Sequence, residues 1–328
     1  MAQRRVHFAV AAGALAGIGL AVGLVAWFGA RSVLKALAEI GWGGLAVIVL
    51  VHLTLMLLCG VGWWVLLPKE GRVSLTIATA ARILRDAGSE LLPISPAGGA
   101  VIGARGLVLA RVPLTEAIAS SVVDITLEMF GQLVFTALGV ALLLQGGWAP
   151  EVGKTALIGL TVGLALAAGF VVAQRTGLFL MLERLTNRIA MREKIMAGGV
   201  HEAIAAIYRR ISAVLWSFVW HVASWLASVG EAWLALKFLG VNLPLPQIVV
   251  LESLIYAIRS AAFFVPSGWG VQEGGYVLLG SFIGLPPEMA LALSLAKRAR
   301  ELSIGIPVLI GWQALEARSL RRSPSASV

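Results

Sequence analysis

One segment interrupts a long apolar run of this sequence with a proline and four glycines: Phe263-Phe264-Val265-Pro266-Ser267-Gly268-Trp269-Gly270-Val271-Gln272-Glu273-Gly274-Gly275. Helix-breaking residues at membrane depth release backbone N–H and C=O groups that lipid cannot satisfy. A loop of this kind must therefore be buried in protein or line a wet cavity. The segment predicts a broken helix around which the rest of the chain is arranged.

Composition places the chain among integral membrane proteins. Its 328 residues are 59% hydrophobic and 13% charged, with a mean hydropathy of +0.90, whereas soluble domains carry about 25% charged residues. The formal charge of +9 resides on basic residues that flank apolar runs. This placement favours an orientation signal and anionic lipid headgroups rather than nucleic acid. With one cysteine and four scattered histidines, we expect no disulfide framework, no Cys/His metal site and no cofactor.

The apolar runs predict an all-α fold with about six full transmembrane helices. The predicted spans are residues 8–28, 44–67, 113–144, 154–173, 213–236 and 288–312. The distribution of Lys and Arg predicts that both termini lie in the cytoplasm. One polytopic domain should cover residues 1–322, followed by a disordered tail at 323–328.

Two further segments, at about residues 74–111 and 247–284, are too short or too charged to cross alone. Each breaks at a proline that follows an arginine by seven or eight residues, Arg85 before Pro93 and Arg259 before Pro266. They are predicted to be re-entrant helical hairpins that enter from opposite faces and form an inverted repeat. Matched interrupted segments in two halves indicate a transport site near the bilayer midplane.

The segment at about 175–211 is predicted to be a basic amphipathic helix on the cytoplasmic leaflet. It could sense lipid or simply connect two spans.

Ionisable residues inside apolar segments make the candidate site. Each costs about 2.5–3.5 kcal/mol at the helix centre on insertion scales, and such residues usually serve function. Helices that start after Gly98-Gly99 or after 268–270 would point N–H groups inward and favour an anionic or hydroxyl-rich group. Arginine forks match phosphate or carboxylate, and the acids could pair with them or accept hydroxyl protons. The predicted substrate-binding residues are Arg85, Glu90, Ser95, Arg105, Asp124, Glu128, Arg259, Pro266, Gly268, Gly270, Gln272, Glu273, Arg298, Arg300 and Glu301. The simpler alternative is ion pairing for assembly alone, with Arg298 and Glu301 three residues apart on one helix.

Other motifs are weaker. Asp124 and Glu128 are spaced like a metal or acid/base pair, but no second acidic cluster accompanies them. Ser267 lacks the G-x-S-x-G pattern of a nucleophile elbow. His221 is predicted to be a hydrogen-bonded interior residue, and Cys59 a small apolar packing residue.

These residues resemble a known superfamily. Leu91-Leu92-Pro93 with the Gly98-Gly99 pair, the helix with Asp124 and Glu128, and above all residues 265–274 resemble the flippase-like superfamily named for the transmembrane region of lysylphosphatidylglycerol synthase. That superfamily usually reads Pro-Gly-Gly-x-Gly-x-x-Glu, and this chain departs from it at Ser267.

Within the superfamily, the chain is most similar to the hopanoid-biosynthesis-associated membrane protein family. The matching stretches are 88–93, 101–105, 123–128, 261–273 and 294–302. The resemblance implies an inner-membrane protein that moves a hopanoid or related lipid between leaflets. The alternative is a non-transport component of hopanoid biosynthesis, either a lipid-modifying enzyme or a scaffold for soluble pathway enzymes. We expect transport, because no cofactor motif, metal cluster or nucleophile constellation is present.

Overall fold

The computed structural model describes residues 30–68, 73–92, 96–176, 191–263 and 265–322. Throughout these ranges the regular structure is helical, with ten α-helices and no strand. The helices are α1 Ala30–Leu66, α2 Leu75–Leu91, α3 Pro96–Leu109, α4 Leu114–Gly146, α5 Pro150–Arg175, α6 Met191–Arg209, α7 Ile211–Phe238, α8 Leu245–Ala261, α9 Val271–Phe282 and α10 Pro287–Arg322. The all-α prediction is confirmed. The predicted span 8–28 and the tail 323–328 lie outside the described residues.

Four helical segments are long and apolar enough to cross a membrane: Leu37–Leu66 within α1, then α4, α5 and α7. They correspond to four of the predicted spans, so the chain is a multi-pass membrane protein. Helix α10 is longer than any of these four segments, but it carries Lys297, Arg298, Arg300 and Glu301 near its middle. These charges have to be buried within protein rather than exposed to lipid.

The first interrupted segment forms the helix pair α2 and α3, which pack against each other. Ser74 caps the start of α2, because its hydroxyl accepts a hydrogen bond from the Ile77 N–H at 3.3 Å. A Cβ on Gly99 would lie 2.6 Å from the carbonyl oxygen of Arg85 and 2.8 Å from the Ser89 nitrogen. Only glycine permits this approach of the two backbones. Because α3 begins at Pro96, the Gly98-Gly99 pair lies inside the helix. The expectation that the helix starts after this pair is therefore wrong.

The second interrupted segment comprises α8, a short 3₁₀ turn at Pro266–Gly268, and α9. Three residues between α8 and α9 have positive φ angles: Ser267 at 56° and Gly268 at 58° in the turn, and Gly270 at 77° just before α9. Glycine adopts this left-handed region freely, whereas a residue with a side chain is strained in it by about 1 kcal/mol or more. The serine thus stands at a position that prefers glycine.

The two helix pairs are held together by α10. The main apolar core joins side chains of α4, α7, α8, α9 and α10, including Phe135, Leu251 and Tyr276. Helix α2 packs against α10 on one side and contacts the Pro266–Gly268 turn. A Cβ on Gly305 of α10 would lie 2.4 Å from Leu91, so this contact is close. The breaks of the two helix pairs therefore face the same region of the protein.

Candidate functional site

A first group of charges lies where α2 meets α4, and we call it the α2–α4 cluster: Arg82, Arg85, Asp86, Asp124 and Glu128. Arg82 donates two hydrogen bonds to the Glu128 carboxylate, at 2.5 and 2.7 Å. Arg85 donates to Asp124 at 2.7 Å and to Glu128 at 2.6 Å, and Arg82 also donates to Asp86 at 3.1 Å. Bidentate pairs of this kind fix both side chains in place.

Helix geometry explains how the α2–α4 cluster forms. Residues three and four apart share one helix face, which places Arg82, Arg85 and Asp86 together on α2. The same spacing places Asp124 and Glu128 together on α4, as the sequence predicted. His221 of α7 completes the cluster, with its Nε2 2.9 Å from Asp124 Oδ1. The prediction that His221 is a hydrogen-bonded interior residue is confirmed.

A second group, the hairpin-junction cluster, comprises Glu90, Arg259, Glu273, Arg298 and Glu301. It joins the first interrupted segment to the second, since Arg259 of α8 donates to Glu90 of α2 at 2.5 Å. Arg298 lies 3.8 Å from the same Glu90 carboxylate and pairs with Glu301 at 3.0 Å. Glu301 in turn lies 3.7 Å from Arg259. Glu90 is thus shared between two arginines, and Glu301 between three, because Arg300 also lies 3.2 Å from Glu301.

Glu273 fixes the start of α9. Its carboxylate accepts a hydrogen bond from the Gly270 N–H at 2.7 Å and another from Arg298 Nε at 3.2 Å. An N–H that was expected to point freely into the site is therefore capped by the helix's own carboxylate, which suits the positive end of the helix dipole. Gln272, beside it, donates to the Ser294 hydroxyl at 3.0 Å and ties α9 to α10.

Two further buried ion pairs flank the hairpin-junction cluster. Arg300 pairs with Glu231 of α7, which also lies 2.8 Å from His52 Nδ1 of α1. Lys297 pairs with Glu252 of α8. Tyr276 of α9 donates to that carboxylate at 2.7 Å. Through these contacts α10 is linked electrostatically to α1, α2, α7, α8 and α9.

Most cations of the site are already neutralised by carboxylates, yet not every donor is used. Arg298 Nη2 and Arg300 Nε are buried without a hydrogen-bond partner in the described structure. The ring of Trp269 covers the Arg298 guanidinium at 4.8 Å from its centroid. A hypothetical Cβ on Gly268 would be 3.4 Å from Arg259 Nε and 4.0 Å from Arg298 Nη2. Because Gly268 has no side chain, its backbone can lie close to both arginines. Buried, unsatisfied guanidinium donors are costly and suit a ligand with acceptor oxygens.

Not all predicted site residues come together. Arg105 forms a half-exposed ion pair with Glu316 at 2.6 Å, so its contact lies outside both clusters. Ser95 lies outside the described residues, and only the backbone of Pro266 is described. Asp124 and Glu128 pair with arginines of α2 and not with the cationic side chains of α10. Within the described ranges, no group of three or more His, Cys, Asp or Glu residues is placed to hold a metal ion.

Several charged residues of the site were not predicted from the sequence. Arg82 precedes Arg85 by three residues and Glu90 by eight, so the same helical spacing could have identified it. Lys297 and Glu252 also lie within apolar segments, but they are not among the predicted site residues. The Cys59 thiol donates a hydrogen bond to the Ser224 hydroxyl at 3.1 Å, a contact that no sequence pattern indicates. Cys59 itself is buried, as expected.

A helical chain with several membrane-spanning candidates and buried clusters of paired charges is a polytopic membrane protein. Its sequence matches the model of a family described as the lysylphosphatidylglycerol synthase TM region, over residues 14–311. The match covers most of the chain, so the protein belongs to this family, which indicates a function related to membrane lipids. Comparison with curated proteins and with solved structures gives no match.

Proposed function

We propose that the protein is a flippase-like transporter that moves a lipid between the two leaflets. The headgroup would pass between the two interrupted helix pairs while the apolar body stays in the bilayer. The observation that carries this proposal is the Glu90–Arg259 ion pair at 2.5 Å, which joins the two pairs at the breaks themselves. A partly buried, charged junction of two interrupted segments is the arrangement expected of a midplane transport site.

The proposed topology extends the predicted one. Six full spans and two re-entrant hairpins in an inverted repeat would form one membrane domain, with both termini in the cytoplasm of a bacterial inner membrane. The charges within α10 support this arrangement, because Arg298 and Arg300 find their partners on neighbouring helices. The distribution of basic residues in the loops supports the orientation.

The clusters suggest how a headgroup would be handled. Phosphate or hydroxyl oxygens could accept from the free Nη2 of Arg298. They would then compete with Glu90 for Arg259 and Arg298. Because Glu90 contacts two arginines and Glu301 contacts three, an incoming group can displace one contact while another persists. Such an exchange of partners would keep every buried charge paired as access alternates, which avoids the several kcal/mol cost of an isolated charge.

The substrate class follows from the resemblance described above. A hopanoid or related lipid is proposed, since the stretches at 123–128, 261–273 and 294–302 that carry the likeness include Glu273 and Arg298 of the hairpin-junction cluster. A role without transport, as a lipid-modifying enzyme or as a scaffold for hopanoid biosynthesis enzymes, would leave the junction as a purely structural contact.

Leaflet exchange in reconstituted vesicles tests the proposal. A fluorescent phospholipid and a labelled hopanoid are placed in both leaflets, and the outer label is quenched chemically. We expect protein-dependent exchange that falls at least tenfold in Arg298→Ala and in Glu273→Gln.

Arg105→Ala is the matched control, because it removes an arginine whose ion pair lies outside both clusters. Circular dichroism and size-exclusion chromatography verify that each variant folds. Unchanged exchange in both site variants would refute the role of these residues. If folded wild-type protein exchanges neither lipid, the transport function itself is wrong.

A further inference from the structure

A second basic site lies away from the two charge clusters. An open pocket of about 310 Å³ lies between the last residues of α5 and the C-terminal half of α6. Its polar lining consists of Gln174, Arg175, His201, Tyr208 and Arg209. We call it the α5–α6 pocket. Its size lies at the lower end of the usual range for ligand pockets, about 300–1,000 Å³.

The pocket is built on a fixed polar floor. The Tyr208 hydroxyl donates to Gln174 Oε1 at 2.9 Å, and the buried Gln174 amide donates to Thr126 of α4 at 2.8 Å. The Arg175 guanidinium lies over the Tyr208 ring, 5.2 Å from its centroid. This stacking holds Arg175 at the pocket without a carboxylate partner.

The positive charge of the pocket has no acidic partner among the residues that the structure describes. The arginines of the two clusters all pair with carboxylates, whereas the described chain offers no ion-pair partner within 4 Å for Arg175 or Arg209. None of the described residues that line the pocket is acidic. The Nδ1 atom of His201 is buried and has no hydrogen-bond partner among the described residues. A buried polar atom without a partner calls for an explanation, and a bound group with oxygens would supply one.

The position of the pocket indicates where such a group would come from. Arg175 is the last residue of the candidate span Pro150–Arg175, so the pocket lies at the end of a membrane-crossing helix, where headgroups are found. Basic pockets between helices at this depth bind anionic lipid headgroups.

We infer that the α5–α6 pocket binds a phosphate group carried by an anionic phospholipid, through Arg175, Arg209 and His201. The site is separate from the proposed headgroup path and does not depend on transport. Its occupation would hold the end of α5 against α6, which otherwise contact each other through few side chains at the edge of the protein. An anionic lipid bound there would act as a structural ligand of the folded state.

Ligand-dependent thermal stability of the purified full-length protein in a neutral detergent provides the test. Dioctanoyl phosphatidylglycerol, dioctanoyl phosphatidylcholine and inorganic phosphate are titrated separately. A ligand that binds only the folded state raises the melting temperature as its concentration exceeds the Kd. We expect saturable stabilisation by phosphatidylglycerol, with an apparent Kd at least tenfold weaker in Arg175→Gln/Arg209→Gln, since two charge-assisted contacts are lost.

The matched control is Arg31→Gln/Arg318→Gln, which removes the same charge from two exposed arginines that do not line the pocket. It should bind phosphatidylglycerol like the wild type. Both double variants change exposed residues and should melt within a few degrees of the wild type without lipid. Stabilisation by inorganic phosphate that is lost in the same pocket variant would assign the site to the phosphate group whatever its source. Equal stabilisation of the pocket variant, or equal stabilisation by phosphatidylcholine, would overturn the inference.

Discussion

Removing the Glu90 carboxylate is predicted to weaken the junction between the two interrupted helix pairs. Its Oε2 lies 2.5 Å from Arg259 and 3.8 Å from Arg298, so Glu90→Gln replaces a charged acceptor by a neutral amide. A hydrogen bond to a charged group is worth about 1.5–3 kcal/mol. Breaking a fully buried pair costs about 3–5 kcal/mol, but the Glu90 side chain is 30% exposed. We therefore expect a coupling energy of about 2 kcal/mol between Glu90 and Arg259.

A double-mutant cycle measures this coupling. Glu90→Gln, Arg259→Gln and the double variant are unfolded with denaturant in mixed micelles, and the three losses of unfolding free energy are compared. The contact of Glu90 with Arg298 is lost in both variants that lack Glu90 and so cancels. The control cycle uses Glu151 and Lys154, an ion pair at 2.8 Å that is exposed on α5, where about 0.5 kcal/mol or less is expected. A coupling at the junction no larger than in the control would refute the view that the pair joins the two helix pairs.

Three further predictions concern the breaks and the topology. Ser267→Gly should raise the unfolding free energy by up to about 1 kcal/mol, because it relieves a left-handed conformation at φ 56°; a loss of stability would contradict the strain. Gly99→Ala should destabilise the protein by about 1–3 kcal/mol, since its Cβ would lie 2.6 Å from a backbone oxygen. Gly159→Ala is the control, because a Cβ on this helical glycine would have no atom within 4 Å, and it should be neutral or stabilising by up to about 1 kcal/mol. Equal losses of unfolding free energy in the two variants would argue against close packing at Gly99. The topology is tested in a variant without the native cysteine, in spheroplasts treated with a membrane-impermeant thiol reagent. The reagent should label Asn242→Cys and not Glu202→Cys. The reverse pattern would mean that the proposed orientation is inverted.

The sequence predicts the breaks well and the partners poorly. Proline at 93 and proline with glycine at 266–270 are local signals, and the described helices end before these residues and begin again after them, at Pro96 and Val271. Helical spacing likewise placed Asp124 with Glu128. These two acids pair with arginines about 40 residues earlier in the chain. Helical periodicity cannot predict a contact between residues so far apart in the sequence.

Glycine is a second case where a local rule was not enough. The Gly98-Gly99 pair suggested a helix start, but its role is the close approach of α3 to α2, which depends on a neighbouring helix. Arg105 shows the same limit, since its charge within an apolar segment suggested the central site. Its partner Glu316 lies 211 residues away on α10, because that helix continues to Arg322 beyond the predicted end near Trp312.

The path of the headgroup is tested most directly by photo-crosslinking in vesicles that support exchange. A phospholipid with a photoreactive headgroup is activated during exchange, and the adducts are located by mass spectrometry. If the headgroup passes between the two interrupted helix pairs, adducts will form on the peptides around Glu90 and Trp269. Their yield should fall in Arg298→Ala and stay unchanged in Arg105→Ala. Adducts confined to outward-facing helices such as α5, equal in both variants, would contradict passage between the two interrupted helix pairs.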